Sequence, residues 1–256
     1  MTTNANTIEY PYCQDVSKYE KLNGIGKGTF GEVYKARCSK TGKYVALKKF
    51  VAENSNYGLP ITTLREIKLL SVLRHENIIT LIEVCRHEFT KKDEPYTEFY
   101  LVLEFCDFEL SSLLANKRVK FSIGEKKKLL KMMFNGLHFI HFNKIIHRDI
   151  KASNILINKM GVLKLADFGL ARPIHTSPLE ENAKDPRRHY TNNVVTLWYR
   201  APELLLGDRM YGPPIDIWSA ACVMIELWTR SAFLRGDTEI KQLNLIIDLC
   251  GSITTT

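Results

Sequence analysis

The apolar periodicity of this chain changes once, near Cys106, and that change restricts what it can fold into. Before it, short β-branched and aromatic runs recur. Tyr19–Ile25 and Val33–Ala36 flank a glycine cluster, and Thr41-Gly42 gives a turn before Tyr44–Phe50. Leu59-Pro60 interrupts the pattern. Leu64, Ile67 and Leu70 then fall at helical spacing, so a helix is expected over Thr62–Leu73. Ile78–Cys85 and Phe99–Phe105 read as further strands, with Arg86–Glu98 as a charged loop between them. Beyond Cys106 the long stretches Glu125–Asn143, Ile215–Trp228 and Glu239–Cys250 read as helices, with short strands such as Ile155–Ile157 between. Strands first and helices later predict an α+β chain of two lobes, joined near Glu104–Asp107.

Composition narrows the class. With 45% apolar and 25% charged residues, the 256-residue chain is neither disordered, collagen-like nor a small disulfide scaffold. Its net charge of +8 predicts attraction to polyanions such as nucleic acid, phosphates or acidic proteins, though composition alone favours the plainer reading of a moderately basic, soluble protein. The six cysteines form no C-x-x-C pair, so neither a zinc site nor a redox motif is supported. Cys85, Cys106 and Cys222 lie in apolar runs and read as core residues. Residues 1–15 are polar and lack the apolar stretch of a secretory signal. No apolar run approaches the ~20 residues of a membrane span. A reducing compartment, cytosol or nucleus, is expected.

Several short motifs carry chemistry. Gly26-Lys27-Gly28-Thr29-Phe30-Gly31-Glu32-Val33 has the form G-x-G-x-x-G-x-V. Glycines there let backbone N–H groups approach phosphate oxygens, or simply make a turn. A dinucleotide site would need a helix after the glycines, whereas Glu32–Ala36 reads as strand. Lys48 ends Val45-Ala46-Leu47-Lys48, where an ammonium either reaches solvent or meets phosphate. Glu66, on the next helix, is its candidate partner. His147-Arg148-Asp149-Ile150-Lys151-Ala152-Ser153-Asn154 and Asp167-Phe168-Gly169 follow. They contain what phosphoryl transfer requires: a carboxylate for a hydroxyl proton, a cation for the moving phosphate, and hard oxygen ligands for Mg²⁺.

With Ala201-Pro202-Glu203 added, these motifs resemble the protein kinases in order and spacing from about Tyr19 onward. The resemblance implies a two-lobed kinase fold, with residues 1–18 as a tail, 19–105 as N-lobe and 106–256 as C-lobe. It implies ATP and Mg²⁺ as cofactors. Gly26, Gly28 and Gly31 would cover the phosphates, with Ile25, Val33, Ala46, Leu103 and Leu156 lining the nucleotide site. Lys48 would bind the α/β-phosphates and pair with Glu66; backbone groups of Glu104 and Cys106 would meet the adenine edge. Asp149 would be the catalytic base and Lys151 would stabilise the γ-phosphate, a placement of the serine/threonine type. Asn154 and Asp167 would hold the metal.

Pro60-Ile61-Thr62-Thr63-Leu64-Arg65-Glu66 resembles the cyclin-binding helix of the cyclin-dependent kinases, and of their transcription-elongation branch in particular. This implies a cyclin partner, most closely of T type. Phe30 agrees, since cell-cycle members carry a phosphorylatable tyrosine there; Thr29 keeps a hydroxyl. Arg65, Arg148 and Arg172 lie on three separate elements and, by the resemblance, would clamp a phosphate on Thr191. Otherwise each points to water. Val194, Val195, Trp198 and Arg200 belong to a stretch that resembles the docking site of proline-directed kinases. It implies Ser-Pro or Thr-Pro substrates, such as the repeat tail of RNA polymerase II. The basic run Lys126–Lys128 with Lys131 would steer acidic tails or form a solvated helix face. Neither direct nucleic-acid binding nor a membrane is expected, and the nucleus is the expected location, with the cytoplasm as alternative.

Three departures stand out. Leu103 occupies the gatekeeper position, where Phe is usual, and would deepen the pocket behind adenine. Ala221 replaces the Gly expected five positions after Asp216. The sequence ends at Thr256, where the family pattern continues through several helices and supplies an arginine for Glu203. Reduced stability and weak activity are the expectation from that third departure. Two alternatives follow: a cell-cycle-type cyclin-dependent kinase, or a catalytically weak fragment that binds a cyclin.

Overall fold

The computed structural model describes residues 13–28, 31–51, 59–91, 94–174 and 190–252. Thr29 and Phe30 lie outside the described residues. Two compact units emerge: residues 1–67 with 80–105, and residues 68–79 with 106–256.

Among the described residues, the first unit is built on a six-stranded sheet in the order β1-β5-β6-β4-β3-β2. These strands are β1 (Gln14–Asp15), β2 (Tyr19–Gly28), β3 (Gly31–Cys38), β4 (Tyr44–Val51), β5 (Leu81–Lys91) and β6 (Glu94–Glu104). All pairings are antiparallel except β1 with β5. Strand alternation sorts the side chains onto two faces. Ala36, Val45, Leu47, Tyr100 and Val102 share one face, where they bury a cluster with Val16, Tyr19 and Cys85. Paired residues lie on the same face, so Val33, Ala46, Lys48, Leu101 and Leu103 occupy the other. Helix α1 (Ile61–Val72) carries Glu66 to Lys48.

The described residues of Arg86–Glu98, 86–91 and 94–98, are not a loop. They supply the paired arms of β5 and β6, with Arg86 opposite Phe99, His87 opposite Glu98 and Glu88 opposite Thr97. Arg86 and Glu88, two residues apart on one face, form an ion pair at 3.1 Å. A ribbon with polar residues on both faces carries no apolar alternation, so the sequence shows only its charge. Ile78 and Ile79 likewise precede the strand: the Ile79 N–H donates to the Leu165 carbonyl at 2.9 Å, within the second unit.

The second unit contains β7 (Phe108–Glu109), α2 (Leu110–Ala115), α3 (Ile123–Phe142), β8 (Ile145–Ile146), β9 (Ile155–Ile157), β10 (Leu163–Leu165), β11 (Arg172–Pro173), α4 (Pro202–Leu205), α5 (Pro214–Thr229) and α6 (Glu239–Cys250). Ser122 and Glu125 form a reciprocal capping box that starts α3. Leu129, Met133, Leu137 and Ile140 then recur at helical spacing on its buried side. Lys127, Lys128 and Lys131 are exposed on the other side, and Lys126 lies 4.9 Å from the Trp228 ring centre. The strand pairs β9–β10 and β8–β11 hold the two catalytic-type loops between them. Ala221 is half-buried in α5. Cys85 and Cys222 are buried as expected, whereas Cys106 is only half-buried because it sits where chain leaves the sheet. Among the described residues, no helix is long and apolar enough to cross a membrane.

Candidate active site

In the first unit, the glycine segment spans the ends of β2 and β3. Gly31 has φ 133°, and a Cβ there would stand 2.1 Å from the Lys49 carbonyl oxygen, so only glycine fits. Gly26 pairs with Val33, and Gly28 with Gly31. Ile25 is exposed, while Val33 and Ala46 are half-buried. Ala46 and Leu103 are direct partners in the β4–β6 ladder, and Leu103 is buried. Glu104 ends β6, its N–H donating to the Thr80 carbonyl at 3.0 Å. Lys48 Nζ lies 2.9 Å from both carboxylate oxygens of Glu66. Both side chains are largely buried.

In the second unit, Asp149 is the hub. Its Oδ2 receives Lys151 Nζ at 2.8 Å and Asn154 Nδ2 at 2.9 Å. Its Oδ1 accepts from the Thr196 hydroxyl at 3.2 Å, and that same hydroxyl accepts from Lys151 Nζ at 3.0 Å. Base candidate, cation and amide are therefore locked together. Asn154 Nδ2 also donates to the Asp149 carbonyl at 2.8 Å. The Ala166 N–H donates to the Asn154 carbonyl at 3.0 Å, which ties Asn154 to the residue before Asp167. Leu156 is half-buried on β9, and Cys106 half-buried ahead of β7.

Backbone strain concentrates here. Arg148, Asp167 and Val195 have φ of 68°, 64° and 66°, which side chains rarely adopt. Asp216, buried at the start of α5, holds the first of these. It accepts the His147 N–H at 2.8 Å and the Arg148 N–H at 2.9 Å, and also faces His141 Nε2 at 2.8 Å. The Asp149 N–H donates to His147 Nδ1 at 3.3 Å, so His147 Nε2 carries the proton given to the Ala166 carbonyl at 3.1 Å. The Val195 twist turns its carbonyl to Arg200, which donates from Nε at 3.3 Å and Nη2 at 3.1 Å. Val194 is buried, and Trp198 is partly exposed with its Nε1 donating to the Gly236 carbonyl at 3.1 Å.

Thr191 is exposed. Arg148 is buried, its Nε donating to the Leu170 carbonyl at 2.8 Å. Arg172 is half-buried on β11, and Arg65 lies on α1 in the first unit. The sequence reading missed Thr196 and the role of Asp216. A lone acid within Ile215-Asp216-Ile217-Trp218 was a usable signal; nothing marked the Thr196 hydroxyl.

Residues 19–255 match the family described as "Protein kinase domain". The chain is 55% identical over 99% of its length to Cyclin-dependent kinase 9-B of Xenopus laevis, covering 67% of that relative. It is 56% identical over 99% of its length to Cyclin-dependent kinase 9 of Homo sapiens, again covering 67%. Against Cyclin-dependent kinase 9 of Danio rerio the identity is 57%, over 96% of this chain and 65% of the relative. Similarity of this extent, on a sheet-and-helix architecture carrying the Lys48–Glu66 pair and the Asp149 hub, means that the chain belongs to the protein kinase family, in its cyclin-dependent branch.

Proposed function

We propose that this chain, bound to a cyclin of T type, transfers the γ-phosphoryl group of ATP to serine or threonine followed by proline. The repeat tail of RNA polymerase II is the proposed substrate, transcription elongation the proposed process, and the nucleus the proposed location. The observation that carries the reading is the Val195 carbonyl held by Arg200. A residue after the phosphoacceptor finds no acceptor there for its N–H. Proline loses nothing, because it has none; any other residue buries an unsatisfied donor.

The chemistry follows from the hub. Asp149 accepts the substrate hydroxyl proton, and Lys151, 2.8 Å from it, meets the negative charge of the moving phosphate. The Thr196 hydroxyl bridges the two and fixes their spacing. ATP supplies the phosphoryl group, and Mg²⁺ neutralises its developing charge. The residues fit such an ion: Asn154 commits its Nδ2 to Asp149, leaving Oδ1, which with the Asp167 carboxylate makes a pair of hard oxygen donors. Lys48, oriented by Glu66, serves the α/β-phosphates. Pro60–Glu66 is the proposed cyclin contact. A phosphate placed on the Thr191 oxygen by an activating kinase, with ADP leaving and the hydroxyl proton passing to that kinase's base, is the proposed activating switch.

The test is transfer of labelled phosphate to a polymerase-tail peptide with added T-type cyclin, using Asp149→Asn as control. Transfer well above the control supports the reading. Transfer equal to it, with cyclin binding retained, leaves a cyclin-binding protein without catalysis.

A further inference from the structure

Thr191 exposes its side chain, but its backbone is tied to a buried polar junction. The Tyr211 hydroxyl donates to the Thr191 carbonyl at 2.5 Å and accepts from Arg148 Nη1 at 2.9 Å. Both bonds meet on one oxygen. The Tyr211 ring packs 5.1 Å from the ring of Tyr190, the residue before Thr191, and the Arg148 guanidinium lies 5.8 Å from that same Tyr190 ring. Arg148 and Tyr211 are buried, 3% and 7% exposed. These contacts join Arg148, Tyr211, Tyr190 and the Thr191 backbone into one junction.

Donor accounting gives the junction a purpose. Arginine has five N–H donors. Arg148 commits Nε to the Leu170 carbonyl and one Nη1 hydrogen to Tyr211. Among the described residues, its other three N–H groups remain for an anion. Held on two sides and flanked by Tyr190, the guanidinium needs little reordering to meet a new acceptor. Its charge also polarises the Tyr211 O–H and strengthens the bond to Thr191.

We propose that Tyr211 is a positioning residue for activation: its hydroxyl couples the Thr191 backbone to Arg148, so a phosphate on Thr191 meets an arginine already aimed at it. This rests on the reading of Thr191 as phosphosite and Arg148 as part of its clamp. Tyr211 makes no contact with substrate in this role. It acts through Arg148.

The experiment uses the full chain with a T-type cyclin, with and without phosphate on Thr191, as wild type and as Tyr211→Phe. The phenylalanine keeps the ring packing and removes only the shared oxygen. The readout is the ratio of kcat/KM with and without phosphate, and the expected change is a fall of about tenfold. A ³¹P titration of the phosphothreonine gives a second measure: weaker engagement by Arg148 raises its second pKa toward the free value of about 6. A wild-type gain that Tyr211→Phe leaves intact, with an unmoved ³¹P titration, overturns the proposal alone. Equal losses in both phosphorylation states, which leave the ratio unchanged, also overturn it, because they show a merely structural role. A wild type that gains nothing from Thr191 phosphate overturns the reading of Thr191 and this proposal together.

Discussion

The ammonium of Lys48 on β4 sits 2.9 Å from each carboxylate oxygen of Glu66 on α1, with the Glu66 side chain only 2% exposed. A buried carboxylate deprived of its ammonium is costly, whereas replacing the whole pair by apolar groups is often tolerated. Lys48→Met is therefore expected to lower unfolding stability by about 3 kcal/mol. Lys48→Met/Glu66→Leu is expected to recover most of that loss. Urea unfolding of the four corners of the cycle measures the coupling; independent, additive losses would refute a mutual role.

Arg200 donates to the Val195 carbonyl and, through Nη2 at 3.1 Å, to Asn193 Oδ1. A planar fork makes these bonds together; an ammonium does not. Arg200→Lys is expected to reduce the preference for Ser-Pro over Ser-Ala peptides several-fold, since the carbonyl becomes available to a substrate N–H. Competition between the two peptides gives the ratio directly. An unchanged ratio would remove Arg200 from the account of specificity.

Arg230, in the left-handed conformation that ends α5, caps a helix distant in sequence. Its Nη1 donates to the Val119 carbonyl at 2.8 Å, and its Nη2 lies within 2.7–3.2 Å of the carbonyls of Leu113, Leu114 and Asn116. The Leu113 and Leu114 carbonyls lie in the last turn of α2, where acceptors have no partner within the helix. Arg230→Ala is expected to cost about 2–3 kcal/mol, and Arg230→Lys somewhat less. Thermal melting resolves both, and equal melting temperatures for all three proteins would show that the cap contributes nothing.

Glu226 is buried in α5, and burial raises its carboxyl pKa, opposed in lesser degree by the hydrogen bond from Tyr199 at 2.7 Å. Folding thus favours the neutral acid. The stabilisation is fully present below the unfolded carboxyl pKa, about 4.3, and is lost as pH rises through the higher folded value. Glu226→Gln keeps an acceptor for Tyr199 and does not ionise. Its melting temperature relative to wild type is expected to be higher at pH 8 than at pH 5. The reverse order would show that the charged carboxylate is the stabilising form.

Much of the candidate site was legible because it is chemical and local. Asp149, Lys151 and Asn154 occupy one short loop, and the β9–β10 pair places Asp167 just beyond it. Thr196 joins them from 45 residues beyond Lys151, and only folding reveals it. Asp216 lies further still, 68 residues from Arg148. Its two carboxylate oxygens hold the backbone N–H groups of His147 and of the strained Arg148; the lone acid among apolar neighbours marks a buried carboxylate, but not which backbone it holds. The β5–β6 ribbon was missed for a different reason: its polar faces carry no alternation to read.

The order of strand-like and helix-like periods, the glycine segment and the spacing of acids, amide and lysines were set by the sequence alone, because they depend on residue type and short-range geometry. What tertiary structure decided is which distant groups share a proton or a lone pair. Thr196 between Asp149 and Lys151 and Tyr211 between Thr191 and Arg148 are of this kind. Hydrogen bonds need partners within about 3 Å at a favourable angle. That condition is met in space, between side chains whose separation along the chain leaves no periodic trace.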